Sequence, residues 1–267
     1  MNDSPAASRK DAIMPDQMTT PAAAAQTAGR VSLTLGDAHF QEANERVREA
    51  LAQTDDVEIL QAQAQRYLGC AMPAGKRLEI HGTPGNDLAC FMDGGRIEVF
   101  GNVQDQVGNT MNEGEVVVHG RCGDAAGYGM RGGRIFVRDD CGWRVGVHMK
   151  EYGEHRPAIV VGGDAGAFLG EYLAGGVIVL MGHAGAHLGT GMHGGVVYLA
   201  HALAPEDVLP CLVQEPVDEG DLAILQPLLD DYAKLFAGER PLPDIPAASY
   251  MRLRPESSRP YGSMYAG

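Results

Sequence analysis

The sequence predicts an all-β solenoid, a parallel β-helix with coils of about 19 residues flanked by short helices, and three observations carry that expectation. One unit is written six times, with copies that begin at Gly82, Gly101, Gly120, Asp139, Gly163 and Gly182. The starts lie 19 residues apart except after the fourth copy, where the stretch Lys150 to Pro157 adds five. A fixed short period marks a repeat architecture in which each copy buries its face against the next. Two positions of the unit are apolar in every copy. The eleventh reads Met92, Met111, Met130, Met149, Leu173, Met192 and forms the expected core ladder; the seventh reads Leu88, Val107, Ala126, Val145, Leu169, Leu188. Finally, each copy ends in a stretch with one apolar face, Ile97/Val99, Val116/Val118, Ile135/Val137, Ile159/Val161, Ile178/Leu180 and Val197/Leu199. That is the period of a half-buried strand.

Glycines punctuate the unit in two columns, Gly108, Gly127, Gly146, Gly170, Gly189 and Gly95, Gly114, Gly133, Gly176, Gly195, and are expected at its corners. A β-rich unit with such corners closes by winding, so each copy makes one lap and stacks in parallel about 4.8 Å above the last. Leucine-rich and helical repeats need a helical run in each copy, which glycine at this density would break.

The flanks follow in order. Residues 1–30, rich in Ala, Pro, Ser and Thr and without periodicity, are expected to be a disordered tail. Residues 31–53 read as a capping strand and helix: Val31 to Leu35 extended, then Asp37 as cap to a stripe of Phe40, Ala43, Val47 and Leu51. Such a cap covers a sheet edge that would otherwise recruit other strands. The β-helix is expected over 54–216, with Val57 to Leu60 and Arg77 to His81 as strands of a degenerate first lap and a last strand near Val208 to Val213. A second helix, 217–240, is read from Asp221 through Leu222, Leu225, Leu229, Tyr232, Leu235 and Phe236 to Gly238, with Pro227 tolerated if it falls in the first turns. Residues 241–267, proline-rich with tyrosines and arginines, read as an extended arm docking on a partner.

Composition narrows the function. A formal charge of -14 argues against a nucleic-acid surface, and no apolar run approaches a membrane span. With no basic head and apolar core at its start, the chain is expected in a reducing cytoplasm.

Candidate chemistry is thin. Gly127, Gly129 and Gly132 match the dinucleotide fingerprint, as do Gly189, Gly191 and Gly194, but a strand follows each where the fingerprint needs a helix. Cys122 and Cys141 share a column with Val103, Ala165 and Ala184, which reads as a slot for small apolar side chains. Cys70, Cys90 and Cys211 form no C-x-x-C pair, and His148, His183, His187, His193 and His201 are scattered over several columns. With no nucleophile paired to a base, no catalytic, cofactor-binding or metal residue is assigned. Two features point to partners instead. The outward strand position reads Glu98, Val117, Phe136, Val160, Val179, Tyr198, an apolar stripe that either the chain's own helix or another subunit must cover. The insertion with Lys150 and Tyr152 breaks the period, and insertions of this kind often mark a binding side; Tyr261 and Tyr265 of the arm complete the candidate interface.

Stretches such as HGTPGNDLACFMDGGRIEVFGNVQDQVGNTMNEGEVVVHG, GYGMRGGRIFV, VGVHMKEY and FLGEYLAGGVIVLMG resemble the GXGXG domain family over about Val31 to Phe236. This family includes the carboxy-terminal domain of the glutamate synthase large subunit and its stand-alone relatives. The resemblance implies a right-handed β-helix acting as a structural subunit, without cofactors of its own, in a complex making glutamate or N-methylglutamate. Its partners would be a class II glutamine amidotransferase subunit and a synthase subunit holding FMN and iron–sulfur clusters. Similarity to the C subunit of formylmethanofuran dehydrogenase, and of the related formyltransferase/hydrolase complex, is confined to the repeats. An independent esterase is the alternative of a different class.

Overall fold

The computed structural model describes residues 29–239, 241 and 245–257. Each repeat contributes one strand. The parallel strands run β1 (Val31–Thr34), β2 (Asp56–Gln63), β3 (Arg77–Thr83), β4 (Asp93–Phe100), β5 (Glu113–Val118), β6 (Arg134–Val137), β7 (Ala158–Val161), β8 (Ala174–Leu180) and β9 (Gly194–Leu199), and they pair in that order in a single sheet. The register follows the repeat: Ile97 pairs with Val116, Val116 with Ile135, Ile135 with Ile159 and Ile159 with Ile178. Across the insertion the register holds, so the five added residues bulge outside the coil.

The methionine and leucine column and the inward strand residues fill the solenoid. Met92, Met111, Met130, Met149, Leu173 and Met192 are fully buried, as are Ile97, Val116, Ile135, Ile159, Ile178 and Val197. One more lap stands at the amino end than the degenerate first lap foresees. Leu68 and Met72 occupy the same two columns, 20 residues before Leu88 and Met92, and β2 and β3 belong to successive laps, Val57 beside Leu78.

Opposite the sheet, each lap runs through a turn stretch in which alternate residues are left-handed. At the sixth and tenth positions these are mostly not glycine: Asp87, Gln106, Ala125 and Arg144, then Phe91, Thr110, His148 and Tyr172, all with φ between +53° and +62°. A non-glycine residue in this region costs roughly 1–2 kcal/mol. Ladder hydrogen bonds offset that cost: Asp87, Gln106 and Ala125 donate their N–H to the carbonyls of Asp105, Asp124 and Trp143 in the next lap, at 3.0, 2.8 and 2.7 Å. The eighth position donates to the previous lap, Gly127 to Val107 at 2.7 Å. The corner glycines of the strand entry, Gly95, Gly114, Gly133, Gly176 and Gly195, also have positive φ, from +70° to +103°.

Helix α1 (Phe40–Gln53) covers the amino end with Ala43, Val47 and Ala50. Its cap is His39 and not Asp37: His39 is extended and its ring Nδ1 accepts from the Gln41 N–H at 3.4 Å, while Asp37 lies in the preceding turn. At the other end Lys76 Nζ donates to the Leu51 and Thr54 carbonyls, at 2.6 and 3.1 Å, where the helix dipole favours a cation.

Helix α2 (Glu219–Leu235) starts earlier than Asp221. Asp218 is its cap and Asp221 the third residue of a reciprocal capping box, which satisfies two backbone donors at once. Pro227 therefore lies in the helix interior, beyond the first turns.

The carboxy end departs most from expectation. Strands β10 (Leu212–Pro216) and β11 (Met251–Pro255) finish the sheet in the order β9-β11-β10, with β11 antiparallel to both neighbours. The segment read as a docking arm thus includes a strand of the fold, with Tyr250 and Leu253 buried. Tyr261 and Tyr265, like residues 1–28, lie outside the described residues.

Candidate interaction surfaces

The outer face of the sheet is divided in two. Over β5 to β9 the apolar stripe Val117, Phe136, Val160, Val179 and Tyr198 is fully buried beneath Leu225, Leu228 and Tyr232 of α2 and its C-cap Phe236, together with Ala247 and Tyr250. The chain's own helix covers the stripe, so these five are an internal interface and leave the set of partner-facing residues. Two buried hydroxyls fix the helix in place. Tyr198 Oη donates to Asp221 Oδ1 at 2.9 Å, and Tyr232 Oη donates to the Arg138 carbonyl at 2.8 Å. Burial, then the Asp221 carboxylate, pushes the Tyr198 phenol far above its usual range, so it stays a proton donor.

Over β2 to β5 the same face is charged. Arg30 pairs with Glu79 at 2.7 Å, Arg77 with Glu79 and Glu98 at 2.9 and 3.3 Å, Arg96 with Glu115, and Arg134 with Glu115 and with Asp231 of α2 at 2.7 Å each. His81, Phe100 and His119 stack in successive laps with ring centroids 5.1 and 4.4 Å apart, and His119 meets Phe236 edge-on. Glu98, where the sequence shows only a break in the apolar stripe, accepts from His119 Nε2 at 3.1 Å. Burial alone would raise the Glu98 carboxyl, but His119, Arg96 and Arg77 outweigh it and hold the group below the usual carboxylate range. Glu58, Glu79 and His81 converge closely enough to suggest a metal. The Arg30 guanidinium lies against the same two carboxylate oxygens, at 3.4 and 2.7 Å, so this cluster is an ion-pair network.

The histidines singled out by sequence are dispersed. His148 stacks on Tyr172, His187 on Phe168 and His183 on His201, while His193 Nδ1 lies 3.1 Å from the Gly191 carbonyl. Cys122 and Cys141 are buried neighbours in adjacent laps, each thiol the other's contact, and the Cys122 thiol and burial push Cys141 well up. The buried Cys90 thiol faces the exposed Cys70 of the preceding lap, a stacking hidden by their spacing of 20.

Apart from Phe100 of the charged sheet face, the most exposed aromatics lie on the turn edge. Phe91, Tyr128, Trp143 and Tyr172 are between 39% and 57% exposed, and Tyr152 of the insertion is 70% exposed. Lys150 and Tyr152, foreseen as candidate interface residues, border a cleft of about 540 Å³ lined also by Asp93, Asn112, Glu113, Arg131 and His155.

The sequence pattern of the family described as GXGXG motif matches residues 54–237. The chain belongs to the GXGXG motif family. The GXGXG match takes in every parallel strand from β2 to β9, together with β10 and α2, and leaves out α1 and β11. MJ1350 of Methanocaldococcus jannaschii, an uncharacterized protein, is 34% identical over 250 residues, covering 88% of this chain and 96% of that one. A chain in the crystal structure of the formyltransferase/hydrolase complex (FhcABCD) from Methylorubrum extorquens, determined in complex with methylofuran, superposes with a TM-score of 0.58. It is 25% identical, over 69% of this chain and 71% of that chain. Among the described residues no helix is long and apolar enough to cross a membrane.

Proposed function

We propose that this GXGXG chain is a non-catalytic structural subunit of a glutamate synthase-like complex. In that complex a class II glutamine amidotransferase subunit releases ammonia. A second subunit, holding FMN and iron–sulfur clusters, reduces the imine formed with a 2-oxo acid, giving glutamate or, with methylamine as donor, N-methylglutamate. The observation that carries the subunit reading is the contrast between inside and edge. The solenoid interior is filled by apolar ladders and offers no chamber for chemistry, whereas large aromatic side chains project from the turn edge. Tyr and Trp are favoured as anchors of protein interfaces. The synthase assignment rests on the quoted sequence stretches.

A second reading has its own support. The likeness to a chain of the formyltransferase/hydrolase complex makes a C-type subunit of such an assembly the alternative. Purification of the chain at native abundance, with an absorbance spectrum and the masses of co-eluting chains, separates the two. Flavin and iron–sulfur absorbance with an amidotransferase-sized partner is the expected result. Formyltransferase and hydrolase chains without flavin would replace it with the second reading.

A further inference from the structure

The cleft beneath the insertion carries a charge pattern that the fold does not consume. Asp93, Asn112, Arg131 and Lys150 hold the twelfth position of four successive laps, so they form a row along the solenoid. With laps about 4.8 Å apart, the row spans about 14 Å from carboxylate to ammonium. Its roof is the insertion, a tight hairpin in which Tyr152 and His155 exchange backbone hydrogen bonds at 3.2 and 3.0 Å.

The hairpin is pinned in place. Glu151 accepts from Arg156 Nε at 2.7 Å and from the Gly176 N–H at 3.1 Å, and His155 pairs with Glu113 at 2.9 Å. Glycine lets it pack closely, since a Cβ at Gly175 would stand 2.4 Å from the Glu151 nitrogen. The cleft is thus built, not left over between loops.

The cations are the telling part. On a chain of formal charge -14, the sheet-face arginines Arg77, Arg96, Arg134 and Arg138 all pair with carboxylates. Arg131 and Lys150 have no side-chain partner among the described residues, although they sit in adjacent laps where their like charges repel. Two such cations beside an exposed tyrosine are half of a complementary pair. Glu113 is taken up by His155 and Asp93 stands at the far end of the row, so the positive charge left over is confined to the Arg131–Lys150 end, and an anionic group complements it there. An extended peptide advances about 3.3 Å per residue, so the row matches four to five residues of chain.

We propose that this cleft docks an extended acidic segment of a partner subunit, with two carboxylates over Arg131 and Lys150 and an apolar side chain on Tyr152. The assignment rests on the subunit reading above, and its test does not need the complex. The probe is a fluorescein-labelled hexaglutamate peptide, titrated into the purified full chain and followed by anisotropy. Arg131→Glu/Lys150→Glu should weaken binding at least tenfold, while Arg48→Glu/Arg121→Glu, the same charge change away from the cleft, should leave it within twofold. Absent binding, or equal loss in both variants, overturns the proposal. If inorganic phosphate binds as tightly and displaces the peptide, the cleft takes a small anion and the peptide assignment is overturned. Co-elution of partners tests the subunit reading separately: a complex that persists with no peptide binding sinks the docking site alone, and peptide binding by a chain that has no partners sinks the subunit reading alone.

Discussion

Gly146 shows how single residues specify the coil. Its φ is +71°, and a Cβ there would stand 2.5 Å from Ile178 Cδ1. The same opposition recurs at Gly108 with Ile135 and at Gly127 with Ile159. Where the facing residue is valine the constraint relaxes. A Cβ at Gly170 would sit 3.7 Å from Val197, an ordinary contact, and in the first copy the position is alanine, Ala89, whose facing strand residue is Val116. Glycine is demanded twice, by backbone and by an isoleucine δ-methyl. Gly170→Ala should therefore cost only the backbone term, about 1–2 kcal/mol. Gly146→Ala should cost about 1–3 kcal/mol more through overpacking, and adding Ile178→Val should recover much of that excess. Urea titration of the four proteins checks this; equal costs at Gly146 and Gly170, or no recovery, would refute the steric account. The glycine column is legible in the sequence as a corner, but its isoleucine partner lies in the next lap and only the register reveals it.

At the scale of elements, the carboxy-terminal segment matters most. Leu253 is fully buried in β11, and Arg252 reaches from that strand to Glu215 of β10 and to Asp221 in the first turn of α2, at 2.9 Å each. Deleting Met251 to Gly267 should therefore lower the melting temperature by several degrees and expose apolar surface, contrary to an extended arm that serves only to dock on a partner. Unchanged melting and dye binding would contradict the place of β11 in the sheet. The parallel strands are legible because a repeated period reports pairing and register together. β11 is not, because Met251–Pro255 lies outside the period and its partners are β9 and β10, whose pairing no local pattern encodes. Covering of the apolar stripe by α2 is half legible: the stripe and the helix can both be read, while their meeting depends on the turn after β10.

For the whole molecule, the outer sheet face pairs an apolar half under α2 with a charged half in the open, and the second half sets a pH dependence. Burial works to raise the Glu79 and Glu98 carboxyls, and their arginine and histidine partners prevail and hold both below the ordinary 4.5. A depressed folded-state value means that the stabilisation is complete above the unfolded value and is lost as pH falls through the folded one. The stabilisation from these two carboxylates should be complete above about pH 5, so the melting temperature should drop below about pH 4.5, and Glu98→Gln should make that drop shallower. An identical acid profile in the variant would remove this network from the account. The charged half was hidden in the sequence because its members come from Arg30 just before β1, from the separate strands β2 to β6 and from Asp231 of α2.

On the other side, the turn edge and the roofed cleft hold most of the exposed aromatics, together with Arg131 and Lys150. A scaffold of this kind should not exist free at native abundance. Native mass measurement of the untagged protein, isolated from its own source under mild conditions, tests that most directly. The expected result is an assembly containing this 28.3 kDa chain in fixed ratio with other chains. A lone 28.3 kDa species under those conditions would contradict it.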